Sequence, residues 1–171
     1  IIVAIINSIN FIDGVDGLAI SVVTLFIICF EFFSNTTSPY LILSLMISVS
    51  LAPMFYFNLK KQNKVFLGDS GSLLLGGLIS IYVIYILTNN YIIKPKFDIH
   101  KIIFVISILL YPIVDIIRIF FLRIYLRKSP FEPDKRHIHH FLLRKTNRHY
   151  KVTILITLIS IVFIFIVQSI F

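Results

Sequence analysis

The sequence predicts an all-α, polytopic integral membrane helical bundle, and three observations carry that prediction. Hydrophobic residues make up 58% of the 171 residues and the mean hydropathy is +0.96, whereas an ordinary soluble domain is about 45–50% apolar. Several apolar runs approach the ~20 residues needed to cross a bilayer. Basic residues are gathered into particular loops, as membrane topology requires. A soluble bundle of deeply buried helices is the weaker reading, because the runs have almost no polar face.

In chain order, Ile1 to Ile9 reads as the end of one membrane helix. Five spans follow, at Leu18–Phe33 (short, extendable through the preceding turn), Tyr40–Phe57, Ser72–Leu87, Ile102–Leu122 and Val152–Phe171. The total is about five to six transmembrane helices. The chain opens on IIVAIIN, inside an apolar run and without Met. It lacks the basic n-region and small-residue cleavage site of a signal peptide. It therefore reads as N-terminally truncated, with residues 1–171 the C-terminal part of a single membrane domain. The lone Cys29 excludes a disulfide within the chain.

Charge orients the bundle. The loop Ser34–Pro39 carries no Lys or Arg, Lys60–Lys64 carries three, Asn89–Lys101 three, and Arg118–Lys151 the other ten of sixteen. Alternating sides puts thirteen on one face, assigned to the cytoplasm by the positive-inside rule. Topology and lipid headgroups account for most of the lysines. No nucleic-acid module is visible, so nucleic acid is discounted as a partner.

Three polar stretches fall on that same face. The first is NSINFIDGVDGLA, in which Asn7, Asn10, Asp13 and Asp16 recur every third residue between apolar runs. One unbroken helix would turn its two ends about 180° apart. Gly14 and Gly17 permit a break. Asn7 and Asn10 are therefore expected at the end of one helix, with Asp13 and Asp16 in the turn before the next. Capping by Asp16 explains one of the four groups. The second stretch is FLGDSGSLLLGG. Its Gly-Asp-Ser-Gly also surrounds the nucleophile of trypsin-like proteases, but that fold is a soluble β-barrel and Ser70 here opens an apolar helix. Asp69 is either a helix cap or a metal-binding carboxylate. The third is SPFEPDKRHIHHFLLRK, where His137, His139 and His140 follow Lys135 and Arg136. A zinc site lacks a nearby cysteine, and adjacent histidines cannot easily share one ion. His beside Arg and Lys suits a polyanion such as a diphosphate. Asp115 lies inside an apolar run, where an ionisable group is a functional candidate. Arg118 three residues on makes an intrahelical pair, or a supporting role, the favoured reading.

Together the three stretches resemble the polyprenyl-phosphate N-acetylhexosamine-1-phosphate transferase family. NSINFIDGVDGLA is similar to its NxxNxxDGxDGLA element, FLGDSGSLLLG to FxGDxGSLxLG, and PDKRHIHH to the HxHH element of the GlcNAc branch. The resemblance implies an enzyme that transfers N-acetylhexosamine-1-phosphate, GlcNAc-1-phosphate foremost, from a UDP-sugar to polyprenyl (undecaprenyl) phosphate, releasing UMP. It implies Mg²⁺, with Mn²⁺ as a substitute, held by Asp69 and Asn10. It implies Asp13, Asp16, Asp69 and His137 as catalytic groups. Substrate contacts fall on Asn7, Phe66 (stacked on uracil), Asp16 (at the uracil edge), Arg136, His137, His139 and His140. It implies a bacterial inner-membrane protein with a cytoplasmic active site, and it allows a homodimer. Family members carry further helices and an acidic pair upstream, so residues 1–171 alone are expected to be inactive. The alternatives are a phospho-N-acetylmuramoyl-pentapeptide transferase, whose histidines are more often adjacent, or a transporter or non-catalytic membrane fragment.

Overall fold

The computed structural model describes residues 1–34, 37–60, 62–89, 98–127 and 136–170. Among the described residues the regular elements are eight helices: α1 (Ile2–Ile12), α2 (Leu18–Phe32), α3 (Leu41–Leu59), α4 (Gly68–Thr88), α5 (Asp98–Ile108), α6 (Leu110–Tyr125), α7 (Ile138–Thr146) and α8 (His149–Ile170). Three of them, α3, α4 and α8, are long and apolar enough to cross a membrane on their own. The chain is an all-helical integral membrane bundle, as its composition predicts. Lys135 and the Pro-Asp before it lie outside the described residues.

The α2 helix is the hub. It packs on α3, α8, α4, α1 and α5, and Leu18, Ile20, Phe26 and Phe30 along it are fully buried. At 15 residues it is about 22 Å long, short of a bilayer core of about 30 Å. Most of its apolar residues are buried against other helices, while Ile28 and Phe32 stay exposed. Near its far end Glu31 accepts the Ser44 hydroxyl at 2.5 Å, and Ser44 meets the Tyr82 hydroxyl at 3.0 Å, so this carboxylate has polar partners within apolar surroundings.

The most extensive helix pair is α1 on α4. The contact repeats every four residues along antiparallel axes. Ser80 donates to the Ile2 carbonyl at 3.5 Å, Gly76 lies against the Ile6 backbone, and Ser72 accepts from Asn10 at 2.8 Å. A stripe of small residues, Ser72, Gly76 and Ser80, lets the two backbones approach closely.

The predicted span Ile102–Leu122 is not one crossing. It breaks at Leu109 into α5 and α6, which are bent by 81°. Pro112 explains the break: its ring clashes with the carbonyl four residues back, Ile108, and it has no N–H to donate. It is tolerated in the first turn of α6, where that N–H would have no partner. The predicted spans therefore reduce to three independent ones and the bent pair, with α1 and α2 as shorter apolar helices.

Neither Asp16 nor Asp69 makes the side-chain cap that the sequence allowed. Gly17, not Asp16, is the N-cap residue of α2, in left-handed geometry at φ 74°. A Cβ there would lie 2.8 Å from the Phe55 ring, and the Gly17 N–H donates to Asn58 Oδ1 at 2.5 Å, so Asp16 is displaced from the capping position. Helix α4 begins at Gly68, placing Asp69 inside its first turn with no side-chain cap bond.

Candidate active site

The polar ends of α1, α2, α3, α4, α6, α7 and α8 meet at one end of the bundle. Asn10 Nδ2 reaches Asp69 Oδ1 at 3.3 Å. Asp16 pairs with Lys64 at 2.5 Å and His149 at 3.2 Å. His137 Nδ1 meets Asp115 Oδ2 at 2.6 Å. Between these contacts lies a cavity of about 300 Å³, lined by Asn10, Phe11, Asp13 and Gly14 from the first stretch, Asp69 from the second, His137 and His140 from the third, and Arg123. Three stretches far apart in the chain thus share one space.

Its electrostatics are divided. Burial, then the neighbouring Asp69 and Asp16 carboxylates, push the Asp13 carboxyl up to about 6, against a lowering contact from the Gly68 backbone. The cavity therefore combines mutually repelling carboxylates, Asp13 and Asp69, with Arg123, His137 and His140. Among the described residues no three His, Cys, Asp or Glu side chains converge as a self-sufficient metal site. That donor set suits a hard cation such as Mg²⁺, which takes one or two carboxylates and completes its shell with water and phosphate oxygens. Asn10 gives its amide N–H to Asp69 and Ser72, which leaves its amide oxygen for such an ion.

The histidines divide by burial. Asp115, 1% exposed, receives His137 Nδ1 on one oxygen and the Ile138 N–H, at 2.8 Å, on the other. Its approach to Arg118 is only 3.9 Å. Of the two readings of Asp115, the supporting role has the short distances, for it fixes both the His137 ring and the start of α7. This leaves the His137 Nε2 edge as its other polar face, on a residue that lines the cavity. His139 was expected to touch substrate, and it does not line the cavity. It is fully buried, its Nδ1 lies 2.8 Å from the Tyr111 hydroxyl, and its Nε2 faces Gly14. Burial, with His140 next, holds it down at about 3, which favours the neutral ring. A Cβ on Gly14 would lie 3.2 Å from both the His139 and the His140 rings, so the glycine lets the first and third stretches close on each other.

Other predicted groups lie around this centre. Asn7 lines an adjacent cavity of about 260 Å³ with Phe11, Arg123 and His137. Arg136 is exposed and borders a different cavity. Phe66 is 68% exposed, with the Lys64 ammonium 4.7 Å from its ring centre. Arg123 is the residue that sequence reasoning missed. It is 6% exposed and lines both the carboxylate cavity and the Asn7 cavity. Its position near the end of an apolar run was the available signal.

A family model described as glycosyl transferase family 4 matches residues 1–87. The chain belongs to that family. Among its relatives, this family-4 chain is 38% identical over 165 residues to a probable undecaprenyl-phosphate N-acetylglucosaminyl 1-phosphate transferase of Bacillus subtilis, covering 95% of the chain and 44% of the relative. It is 31% identical to the undecaprenyl-phosphate alpha-N-acetylglucosaminyl 1-phosphate transferase of Escherichia coli, over 91% of the chain and 42% of the relative. It is 30% identical to the decaprenyl-phosphate N-acetylglucosaminephosphotransferase of Mycobacterium leprae, over 91% and 43%. The chain thus spans less than half the length of these curated relatives. No solved structure matches it significantly.

Proposed function

We propose that this chain carries the metal and diphosphate side of a polyprenyl-phosphate N-acetylglucosamine-1-phosphate transferase, working on the cytoplasmic face of a bacterial inner membrane. The observation that carries the proposal is the shared cavity in which Asp13 and Asp69 face Arg123, His137 and His140. The names of its relatives support the sugar and the lipid. The basic face supports the orientation.

In the reaction an oxygen of the polyprenyl phosphate attacks the phosphorus that bears the sugar of UDP-GlcNAc. A new P–O bond forms as the P–O bond to UMP breaks, giving polyprenyl-diphospho-GlcNAc and UMP. Two anions must meet, so positioned charge is the main catalytic requirement. Asp69, Asp13 and the Asn10 amide oxygen would hold Mg²⁺, or Mn²⁺ in its place. When bound, that ion offsets phosphate charge and stabilises the leaving oxygen. Arg123, His137 and His140, which line the same cavity, bind diphosphate oxygens, with His137 oriented by Asp115. Asp16 ties Lys64 and His149 together and so fixes the segment that presents Phe66, whose exposed ring offers a stacking surface for uracil.

The test uses membranes carrying the complete protein, supplied with UDP-GlcNAc, undecaprenyl phosphate and Mg²⁺. UMP release should fall to background in Asp69→Asn while membrane insertion is unchanged. Near-normal turnover of that variant at saturating Mg²⁺ would remove Asp69 from the metal site. Absence of UMP release by the wild type with every UDP-N-acetylhexosamine tried would overturn the reading as a whole.

A further inference from the structure

A separate cavity of about 350 Å³ opens between α6 and α7. It is lined by Arg118, Arg136 and Arg144, with Leu122, Ile138 and Phe141. It shares no lining residue with the carboxylate cavity or with the Asn7 cavity. Among the described residues no carboxylate lines it. The nearest described one, Asp115, lies 3.9 Å from the Arg118 guanidinium and is already committed to His137 and the Ile138 N–H. The Arg118 guanidinium also donates to the Arg136 carbonyl, which holds these two residues at the cavity wall. Arg144 is exposed in the last turn of α7.

The surroundings have the residue pattern of a membrane interface. Phe141 is 69% exposed one turn before Arg144 and Lys145, so α7 has an apolar edge beside a basic end, the pattern of a helix lying at the headgroup level. Next to the cavity on α6, Phe121 is 64% exposed and Tyr125 85%. Guanidinium groups bind phosphate through paired N–H donors. A free inorganic anion would use the arginines but not the apolar half of the lining. In the proposed reaction the acceptor lipid would bring its phosphate to the carboxylate cavity, which is lined by other residues.

We infer that the Arg118–Arg136–Arg144 cavity is a binding site for the headgroup of an anionic glycerophospholipid. The phosphodiester sits among the guanidiniums, and the first acyl carbons lie against Leu122, Ile138 and Phe141. The site adjoins the joint that positions His137, because Arg118 grips the carbonyl of the residue immediately before it.

The experiment extracts the complete membrane protein in detergent, adds phosphatidylglycerol or phosphatidylcholine, and reads retained lipid by native mass spectrometry. The wild type should retain phosphatidylglycerol in preference to phosphatidylcholine. Each lost arginine should weaken that retention by roughly fivefold, so R118Q/R136Q/R144Q should lose the preference. K60Q/K145Q/R148Q removes the same charge away from the cavity lining and should keep it. Arg144→Gln alone, at an exposed position, keeps the test sound if the triple variant does not fold. Unchanged retention in Arg144→Gln, or equal losses in the two triple variants, would overturn the site. So would protection of the protein by inorganic phosphate as strong as that by phosphatidylglycerol, or selective retention of polyprenyl phosphate over phosphatidylglycerol.

Discussion

Gly76→Ala should loosen the candidate site from two turns away, and the size of the effect can be worked from the packing of α1 on α4. A Cβ at Gly76 would lie 2.7 Å from Ile6 Cα and 3.1 Å from its carbonyl oxygen. Carbon atoms at rest sit about 3.5–4.0 Å apart, so the helices must part by about 1 Å. Both obstacles are backbone, and no side-chain rotation relieves them. One turn along the same face, the Asn10–Ser72 bond of 2.8 Å would open to about 3.8 Å, past the limit of a hydrogen bond. The 3.3 Å contact from Asn10 to Asp69 has still less slack. Overpacking costs about 1–3 kcal/mol and the lost bond about 1 kcal/mol, offset by about 1 kcal/mol of helix propensity. The net expectation is a loss of about 1–3 kcal/mol, read as a lower unfolding midpoint in detergent. Gly77→Ala is the internal control, because a Cβ there meets nothing within 4 Å; it should be neutral or slightly stabilising. Equal midpoints for the two alanine variants would refute the close-packing argument.

Removing the Asp115 carboxylate with Asp115→Ala should strip His137 and the Ile138 N–H of their buried partner and cost about 3–5 kcal/mol; an unchanged thermal midpoint would show that the joint is held otherwise. His139 in the folded protein protonates only near 3, well below the ordinary histidine value of about 6.5. The unfolded chain takes that proton first, so this contribution to stability is complete above about pH 6.5 and is lost as pH falls toward 3. His139→Gln should flatten that part of a midpoint-versus-pH curve, and a curve identical to wild type would count against a buried neutral ring. Asp13 has the opposite sign. Its folded value near 6 exceeds the ordinary one, so stability present below about pH 4 is lost as pH rises through 6. Without added metal, Asp13→Asn should raise the midpoint more at pH 7.5 than at pH 5, and a pH-independent effect would refute carboxylate repulsion as the cause.

Much of this architecture was legible because membrane helices follow from apolar run length, and because the Asn, Asp and His groups had no place inside a bilayer. Asn10, Asp13, Asp69 and His137 all reach one cavity because every loop that bears them lies on the same side. The legible signals were one-dimensional, and the misses arise where helix orientation decides. Hydropathy cannot distinguish a straight span from α5 and α6, since Pro112 changes direction without changing polarity. His139 and His140 are neighbours in sequence, yet α7 turns one inward against Tyr111 and the other toward the cavity. Hydropathy likewise assigns Arg123 to the basic stretch after its span, whereas α6 carries it inward. The stripe Ser72, Gly76, Ser80 reads as weakly polar residues in an apolar helix until a partner backbone is seen against it.

The contact of Gly14 with the His139 and His140 rings has a consequence for biosynthesis. Its two sides lie about 125 residues apart in the chain. At a ribosome's pace of about 5–20 residues per second, roughly 6–25 s separate their emergence. Asp13 emerges at the start of that interval and Asp69 on α4 before its middle, while the histidines that join them in the cavity are still to be made. A nascent chain released before His140 would hold the repelling acids without the groups that face them. Completion of the α6–α7 segment is therefore what turns an inserted set of helices into a closed cavity, and a stalled product is recognisable by an open, acid-lined flank where α7 should dock.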